Sequence, residues 1–239
     1  MRENFVLWCW QGGDDEAVSY TRIVQVHKAR PLFPFLLLLS LLSKSAPAAS
    51  PIADVHTHYK WSQTDVTPPE QVLATLEQHD VEFAVVIGTP AELALELVDR
   101  EPQKLLAVWS PYLSGGDWFN WAYDLQVLQR ARAAMASGRY QGIGELHLIG
   151  GFAPRPSSEV IRGLFELAAS HDVPILLHTE FSREDYLVQL CREHPETRIL
   201  WAHAGALLKP DQVERVLSDC TNVWACLLYT SPSPRDQRP

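Results

Sequence analysis

Cysteine, net positive charge and long apolar segments are all scarce in this chain of 239 residues. Lys and Arg number 20 against 29 Asp and Glu, which gives a formal charge of −9, and no basic stripe accompanies these residues. This balance argues against nucleic acid as a partner. The 46% of hydrophobic residues is enough for the core of one large domain.

The few cysteines predict neither a disulfide framework nor a cysteine-based metal motif. Cys9 and Cys226 lie in terminal segments of doubtful origin, so only Cys191 and Cys220 belong to the dependable part of the chain. Both fall on predicted helices that face the core. We therefore expect two buried thiols rather than a bridge.

The most apolar segment, Pro31–Leu42, has 12 residues and is too short to span a bilayer. Basic residues precede it, and Ala46-x-Ala48 follows it. This order predicts a signal peptide over 28–48, and hence a periplasmic or secreted protein with no stable membrane span in its mature form. The alternative is a buried core helix, which Pro31 and Pro34 disfavour.

The two ends of the chain do not fit a folded domain. Acidic residues in 1–27 are unusual ahead of a signal peptide, so we interpret this segment as a leader from a misassigned start. Residues 226–239 are rich in Pro, Ser and Arg. They resemble the translation of a sequencing adapter, with a genuine disordered tail as the alternative. The predicted domain is therefore 49–225, ending in its seventh strand.

Within that domain, short apolar strands alternate with helical stretches, one of them from about Trp118 to Ser137. This rhythm predicts an α/β fold with a parallel sheet. Six strand–helix units and a fragment favour an incomplete (β/α)8 TIM barrel with strands one to six and the start of seven. The predicted strands are Ile52–His58, Glu82–Gly88, Leu105–Trp109, Gln141–Leu148, one from Pro174, Arg198–His203 and one from Asn222 to Ala225.

Polar side chains end several of these apolar runs, where the strands of a barrel converge on one mouth. His56 and His58 are two residues apart on one strand, so both point to the same face and can grip one cation. Four histidines and a carboxylate in such positions predict a metal site. The five residues are His56, His58, Glu145, His178 and His203.

The ordered set of motifs resembles the amidohydrolase superfamily. It consists of HTH at 56–58, GIGE at 142–145, His178 and AHAG at 202–205, and the WAHAG run looks most like the amidohydrolase-related branch, which also contains decarboxylases. The resemblance covers about 52–225. It implies that His56, His58 and His178 bind metal, while His203 binds a second metal or orients substrate and water.

The resemblance also implies that Glu145 sets the number of metal ions. A glutamate at this place can bridge two ions; the alternative is a carboxylate hydrogen-bonded to a ligand histidine. We expect one or two divalent ions, with zinc favoured, and Glu145 and His203 in catalysis. The aspartate that handles protons in the family lies on strand eight, which this sequence does not contain.

A divalent ion of this kind activates water and polarises a carbonyl or phosphoryl oxygen. The chain is therefore expected to be a metal-dependent hydrolase of a small amide, ester, lactone or phosphoester. His147 and Glu180, each two residues past a predicted ligand, and Trp61 are candidate substrate contacts. Aromatic residues of the third loop either wall an apolar substrate or anchor a helix. The alternatives to hydrolysis are a non-oxidative decarboxylase and a non-catalytic metal-binding barrel.

Overall fold

The computed structural model describes residues 8–10 and 52–226, and its centre is a sheet of eight parallel strands in chain order. Each strand pairs with the next one along the chain, from β1 to β8. The strands are β1 (Trp8–Trp10), β2 (Ile52–Lys60), β3 (Val81–Thr89), β4 (Leu105–Trp109), β5 (Tyr140–His147), β6 (Ile175–His178), β7 (Ile199–Ala202) and β8 (Val223–Ala225).

Helices connect the strands, as parallel pairing requires. They are α1 (Pro69–Gln78), α2 (Glu92–Arg100), α3 (Gln126–Ala136), α4 (Glu159–Ser170), α5 (Glu184–Glu193) and α6 (Pro210–Asp219). The seven parallel strands β2 to β8 form part of a barrel that is not closed within the described residues. The predicted strands agree with β2 to β8 to within a few residues.

One continuous core lies between the sheet and the helices. In α4, the buried positions recur at helical spacing and include Ile161, Leu164 and Phe165, each with no exposed surface. The opposite face of the sheet fills with branched side chains such as Ile87 and Leu176. Packing on both faces explains why the strands read as nearly continuous apolar runs.

The strand β1 comes from the segment 1–27 that the sequence marks as a doubtful leader. Trp8 pairs with Asp54 and Trp10 with Thr57, so β1 extends the sheet beyond β2. Cys226, the first residue of the predicted tail, donates its amide to the carbonyl of Trp201 at 2.8 Å. The predicted signal peptide 28–48 and residues 227–239 lie outside the described residues. No helix in the described part of the chain is long and apolar enough to cross a membrane.

The helix predicted from Trp118 to Ser137 is wrong in its first third. Two short 3₁₀ turns, Gly115–Phe119 and Trp121–Tyr123, precede α3. Aspartates cause the interruption because their carboxylates bond local backbone amides. Asp117 accepts from the amides of Leu113 and Ser114, and Asp124 accepts from the amide of Gln126 at the start of α3.

The prediction of two buried thiols is also wrong. Cys191 and Cys220 form a disulfide across a Cα–Cα distance of 5.9 Å. Cys191 lies on α5, but Cys220 follows the end of α6 in the turn before β8. That turn brings the two sulfurs together, which the expectation of two core-facing helical positions did not allow.

Candidate active site

The five predicted metal ligands meet at the carboxyl ends of the strands. His56 and His58 lie on β2 and Glu145 on β5, while His178 ends β6 and His203 follows β7. All five line one cavity of about 190 Å³. The fold therefore brings together residues from four separate strands of the sheet.

Two imidazole nitrogens and one carboxylate oxygen form a tight triangle in this cavity. The Nε2 atoms of His56 and His58 are 3.0 Å apart. Glu145 Oε2 lies 3.1 Å from the first and 2.9 Å from the second. The side chains of His56 and Glu145 are buried, so water does not separate these atoms.

The other carboxylate oxygen of Glu145 faces the remaining ligands. Its Oε1 is 3.0 Å from Nδ1 of His178 and 3.7 Å from Nε2 of His203. Burial alone would raise the pKa of Glu145. The charge on His56 and the hydrogen bonds from the surrounding imidazoles outweigh burial and hold this pKa well below its ordinary value.

The three contacts of the triangle cannot all be hydrogen bonds. An ionised Glu145 only accepts, so both His56 and His58 would have to present an N–H to Oε2. The two N–H groups would then repel each other across 3.0 Å. Removing either proton instead turns a nitrogen lone pair toward the carboxylate. A cation inside the triangle satisfies all three atoms at once.

The spacing of these atoms also fits a metal ion. Ligand nitrogens and oxygens lie about 2.0 to 2.2 Å from a tetrahedral zinc ion, which places neighbouring ligand atoms about 3.3 Å apart. The edges of the triangle come close to that value. Two groups of ligand atoms are close enough to hold an ion, and they share Glu145: His56, Glu145 and His203, and Glu145, His147 and His178.

His178 is held between two carboxylates. Its Nδ1 is 3.0 Å from Glu145, and its Nε2 is 3.1 Å from Glu180 at the mouth of the cavity. Burial works to lower the pKa of His178, but the hydrogen bonds and charges of Glu145 and Glu180 raise it above its ordinary value. As a metal ligand, His178 has to turn one ring nitrogen from a carboxylate to the ion.

His147 stands on the opposite wall with two aromatic partners. Its ring stacks on Trp118 at 4.9 Å between centroids and 10° between planes. The hydroxyl of Tyr112 lies 2.8 Å from both the amide nitrogen and Nδ1 of His147. Burial lowers the pKa of His147 to about 3, so the ring is neutral. Tyr112 and Trp118 therefore wall the site, whereas Trp121 is buried and Phe119 is half exposed.

The predicted substrate contacts divide into two groups. His147 and Glu180 line the cavity, but Trp61 does not; its side chain lies 42% exposed outside it. Lys60 lines the cavity in its place, a position for which we predicted no role. The signal for Lys60 was present in the sequence, since His56, His58 and Lys60 alternate along β2 and share one face.

A glycine is needed beside Glu145. Gly144 has a φ of +137°, and a Cβ there would lie 2.3 Å from the carbonyl oxygen of Leu176 on the neighbouring strand β6. Any other residue would push β5 away from β6 or strain the backbone. Gly144 thus allows the approach that sets Glu145 among the histidines.

The family model for amidohydrolases matches residues 53–239, most of the chain. The chain belongs to the amidohydrolase family. This confirms the resemblance read from the ordered motifs. The matched range includes 226–239, for which an artefactual origin stays a prediction. No curated protein sequence matches the chain.

Three solved structures share the fold. A putative 2-pyrone-4,6-dicarboxylic acid hydrolase from Pseudomonas putida is 19% identical, with 77% of this chain and 72% of that chain covered and a TM-score of 0.55. A probable 2-pyrone-4,6-dicarboxylic acid hydrolase from Acinetobacter baumannii, with citric acid bound, is 15% identical, with 77% and 73% covered and a TM-score of 0.51.

The third is an uncharacterized TIM-barrel protein from Bordetella bronchiseptica, 10% identical, with 73% of this chain and 66% of that chain covered and a TM-score of 0.53. At these identities the likenesses establish the fold alone. They confirm the predicted TIM-barrel architecture, in which the described strands β2 to β8 form an incomplete barrel.

Proposed function

We propose that this protein is a metal-dependent hydrolase of a small molecule. The observation that carries the proposal is the triangle of His56, His58 and Glu145, whose three contacts no arrangement of protons satisfies when Glu145 is ionised. Membership of the amidohydrolase family supports the same reaction class. We expect a zinc ion at this position, with His203 and His178 as the further ligands.

The residues of the chain divide the work around that ion. A divalent cation bound here lowers the pKa of a water molecule toward about 7 and polarises a carbonyl or phosphoryl oxygen. Glu145 joins the two groups of ligand atoms, and its oxygens face different histidines. Glu180, whose side chain is 35% exposed, is the carboxylate nearest solvent and is placed to pass a proton outward through His178.

The reaction we favour is hydrolysis of a lactone, ester, amide or phosphoester. The cavity of about 190 Å³ is well below the roughly 300 to 1,000 Å³ of pockets that hold drug-sized ligands, so the substrate is small. Lactones are the first substrates to test, because two structures of the same fold are described as 2-pyrone-4,6-dicarboxylic acid hydrolases.

Metal analysis combined with a hydrolysis assay tests this proposal. The purified protein, loaded with zinc and dialysed, should carry bound metal and hydrolyse members of a lactone and ester panel, and chelation should abolish both properties. A protein that stays free of metal at micromolar zinc would contradict the proposal. Release of carbon dioxide from carboxylic acids without lactone or ester cleavage would also contradict it and favour decarboxylation.

The number of metal ions tests the role of Glu145. About two ions per chain in the wild type, falling in Glu145→Gln, would support a bridging carboxylate. One ion per chain, with Glu145→Gln still fully loaded, would instead make Glu145 a hydrogen-bond partner of a ligand histidine.

We also propose that the protein is exported. The signal peptide predicted over 28–48 is the first argument. The Cys191–Cys220 disulfide is the second, since such bonds persist in oxidising compartments. Fractionation of cells that express the natural gene, with sequencing of the mature amino terminus, tests this. A start at Ala49 in the periplasm or medium is expected, and an uncleaved cytoplasmic protein would contradict it.

A further inference from the structure

Lys60 carries a positive charge into the cavity without a matching carboxylate. It follows His58 by two residues on β2, so it shares the face that presents the two histidines. The side chain is partly buried and lines the same cavity. Among the residues that the structure describes, no carboxylate lies within ion-pair distance of its Nζ atom. The only recorded partner of the ammonium group is the ring of Trp118, 5.3 Å away.

A second donor faces the same space. The Tyr112 oxygen accepts the amide hydrogen of His147 at 2.8 Å, and Tyr112 is buried with no other acceptor for its hydroxyl hydrogen among the described residues. That hydrogen therefore goes to Nδ1 of His147, also 2.8 Å away. The neutral ring then carries its own hydrogen on Nε2. This atom is 4.0 Å from Glu145, too far for a hydrogen bond, and remains able to donate to a ligand.

The charges of the cavity favour an anion. Its wall holds two carboxylates, Glu145 and Glu180, so one divalent cation balances them and the charge of Lys60 is left over. Two cations leave a larger excess. A lysine beside a metal ion is costly unless an anion lies near both, since like charges in a water-poor cavity repel strongly.

We infer that Lys60 and Nε2 of His147 form a carboxylate subsite, and that the substrate is a small molecule bearing a carboxylate beside its hydrolysable bond. This inference rests on the proposed function for the position of the reacting bond, but the subsite itself is built by the chain. Trp118 links the two donors, because its ring contacts both the Lys60 ammonium and the His147 ring. Lys60 is thus a specificity residue that selects acids over neutral analogues.

Binding of matched ligands to matched variants tests the subsite without knowledge of the substrate. The ligands are benzoate and the neutral benzamide, titrated by calorimetry at constant ionic strength, with zinc and separately with a chelator. The variants are Lys60→Met, which keeps length but loses charge, and Lys60→Arg, which keeps charge. Lys104→Met is the control, because Lys104 is exposed and lies outside this cavity.

We expect Lys60→Met to raise the Kd of benzoate by about tenfold or more and to leave that of benzamide within twofold. Lys60→Arg should recover much of the loss, and Lys104→Met should match the wild type. Equal weakening of both ligands, no effect in Lys60→Met, or no benzoate binding to the wild type would overturn the inference. A protein that binds no zinc but still shows the benzoate-specific loss would refute the proposed function and leave the subsite standing.

Discussion

The mouth of the barrel and the α5–α6 edge treat their buried polar groups in opposite ways. At the mouth, Nδ1 of His56 and of His58 are buried without a hydrogen-bond partner among the described residues, and the Nε2 atoms crowd one carboxylate oxygen. At the edge, the amide of Asn222 bonds the carbonyls of Cys191, His194 and Thr197 at 2.9 to 3.3 Å. A disulfide fastens the same turn to α5.

This contrast separates residues that hold the fold from residues that await a ligand. A buried polar group without a partner costs about 1 to 3 kcal/mol, so a protein keeps several together only where a ligand or ion completes them. The edge needs nothing added. Changes at the mouth should therefore alter binding of metal more than stability, and changes at the edge should do the reverse.

His58→Ala should produce the largest effect. Removing one corner of the triangle should weaken zinc binding and hydrolysis by at least about a thousandfold, or about 4 kcal/mol, because the ion loses a ligand that no neighbour replaces. Competition with a chelator of known affinity measures the loss. His171→Ala, an exposed histidine beyond α4, is the control and should bind zinc normally. Unchanged zinc affinity in His58→Ala would make the two regions alike.

The Cys191→Ala/Cys220→Ala variant should show the converse behaviour. The disulfide closes a loop with a sequence separation of 29, so its loss should lower the free energy of unfolding by about 3 to 4 kcal/mol. Urea denaturation followed by tryptophan fluorescence measures this, and zinc content at equilibrium should not change. A stability loss below about 1 kcal/mol together with loss of zinc would reverse the assignment of the two regions.

Asn222→Ala should have a smaller effect of the same kind. Its amide group satisfies carbonyls at the ends of α5 and of the turn that follows, so removal should cost about 1 to 3 kcal/mol of stability. The exposed Asn120 supplies the control variant Asn120→Ala, which should melt with the wild type. If the two variants melt together, the three bonds of Asn222 do not stabilise this edge.

The strands and the ligand set were predictable because each signal is local. Apolar runs fix β2 to β8, and a polar residue at each run's end falls at the mouth by the geometry of parallel strands. The family resemblance added the order of the ligands. Whether His178 and His203 bind metal as that resemblance implies stays a prediction.

The features that were missed depend on tertiary contacts. Cys191 and Cys220 meet only because the turn after α6 folds back on α5, and no spacing in the sequence records that approach. The aspartates that break the helix before α3 act through bonds to particular amides. Likewise, the pairing of Tyr112 with His147 joins loops 35 residues apart.

The most direct test of the account is the position of the metal itself. Crystals grown with zinc, measured on both sides of the zinc absorption edge, should show an anomalous peak in contact with Nε2 of His56, Nε2 of His58 and Glu145 Oε2. The expected distances are about 2.0 to 2.2 Å. No peak within this triangle, or zinc bound only at surface histidines, would contradict the central claim that these three residues build a metal site.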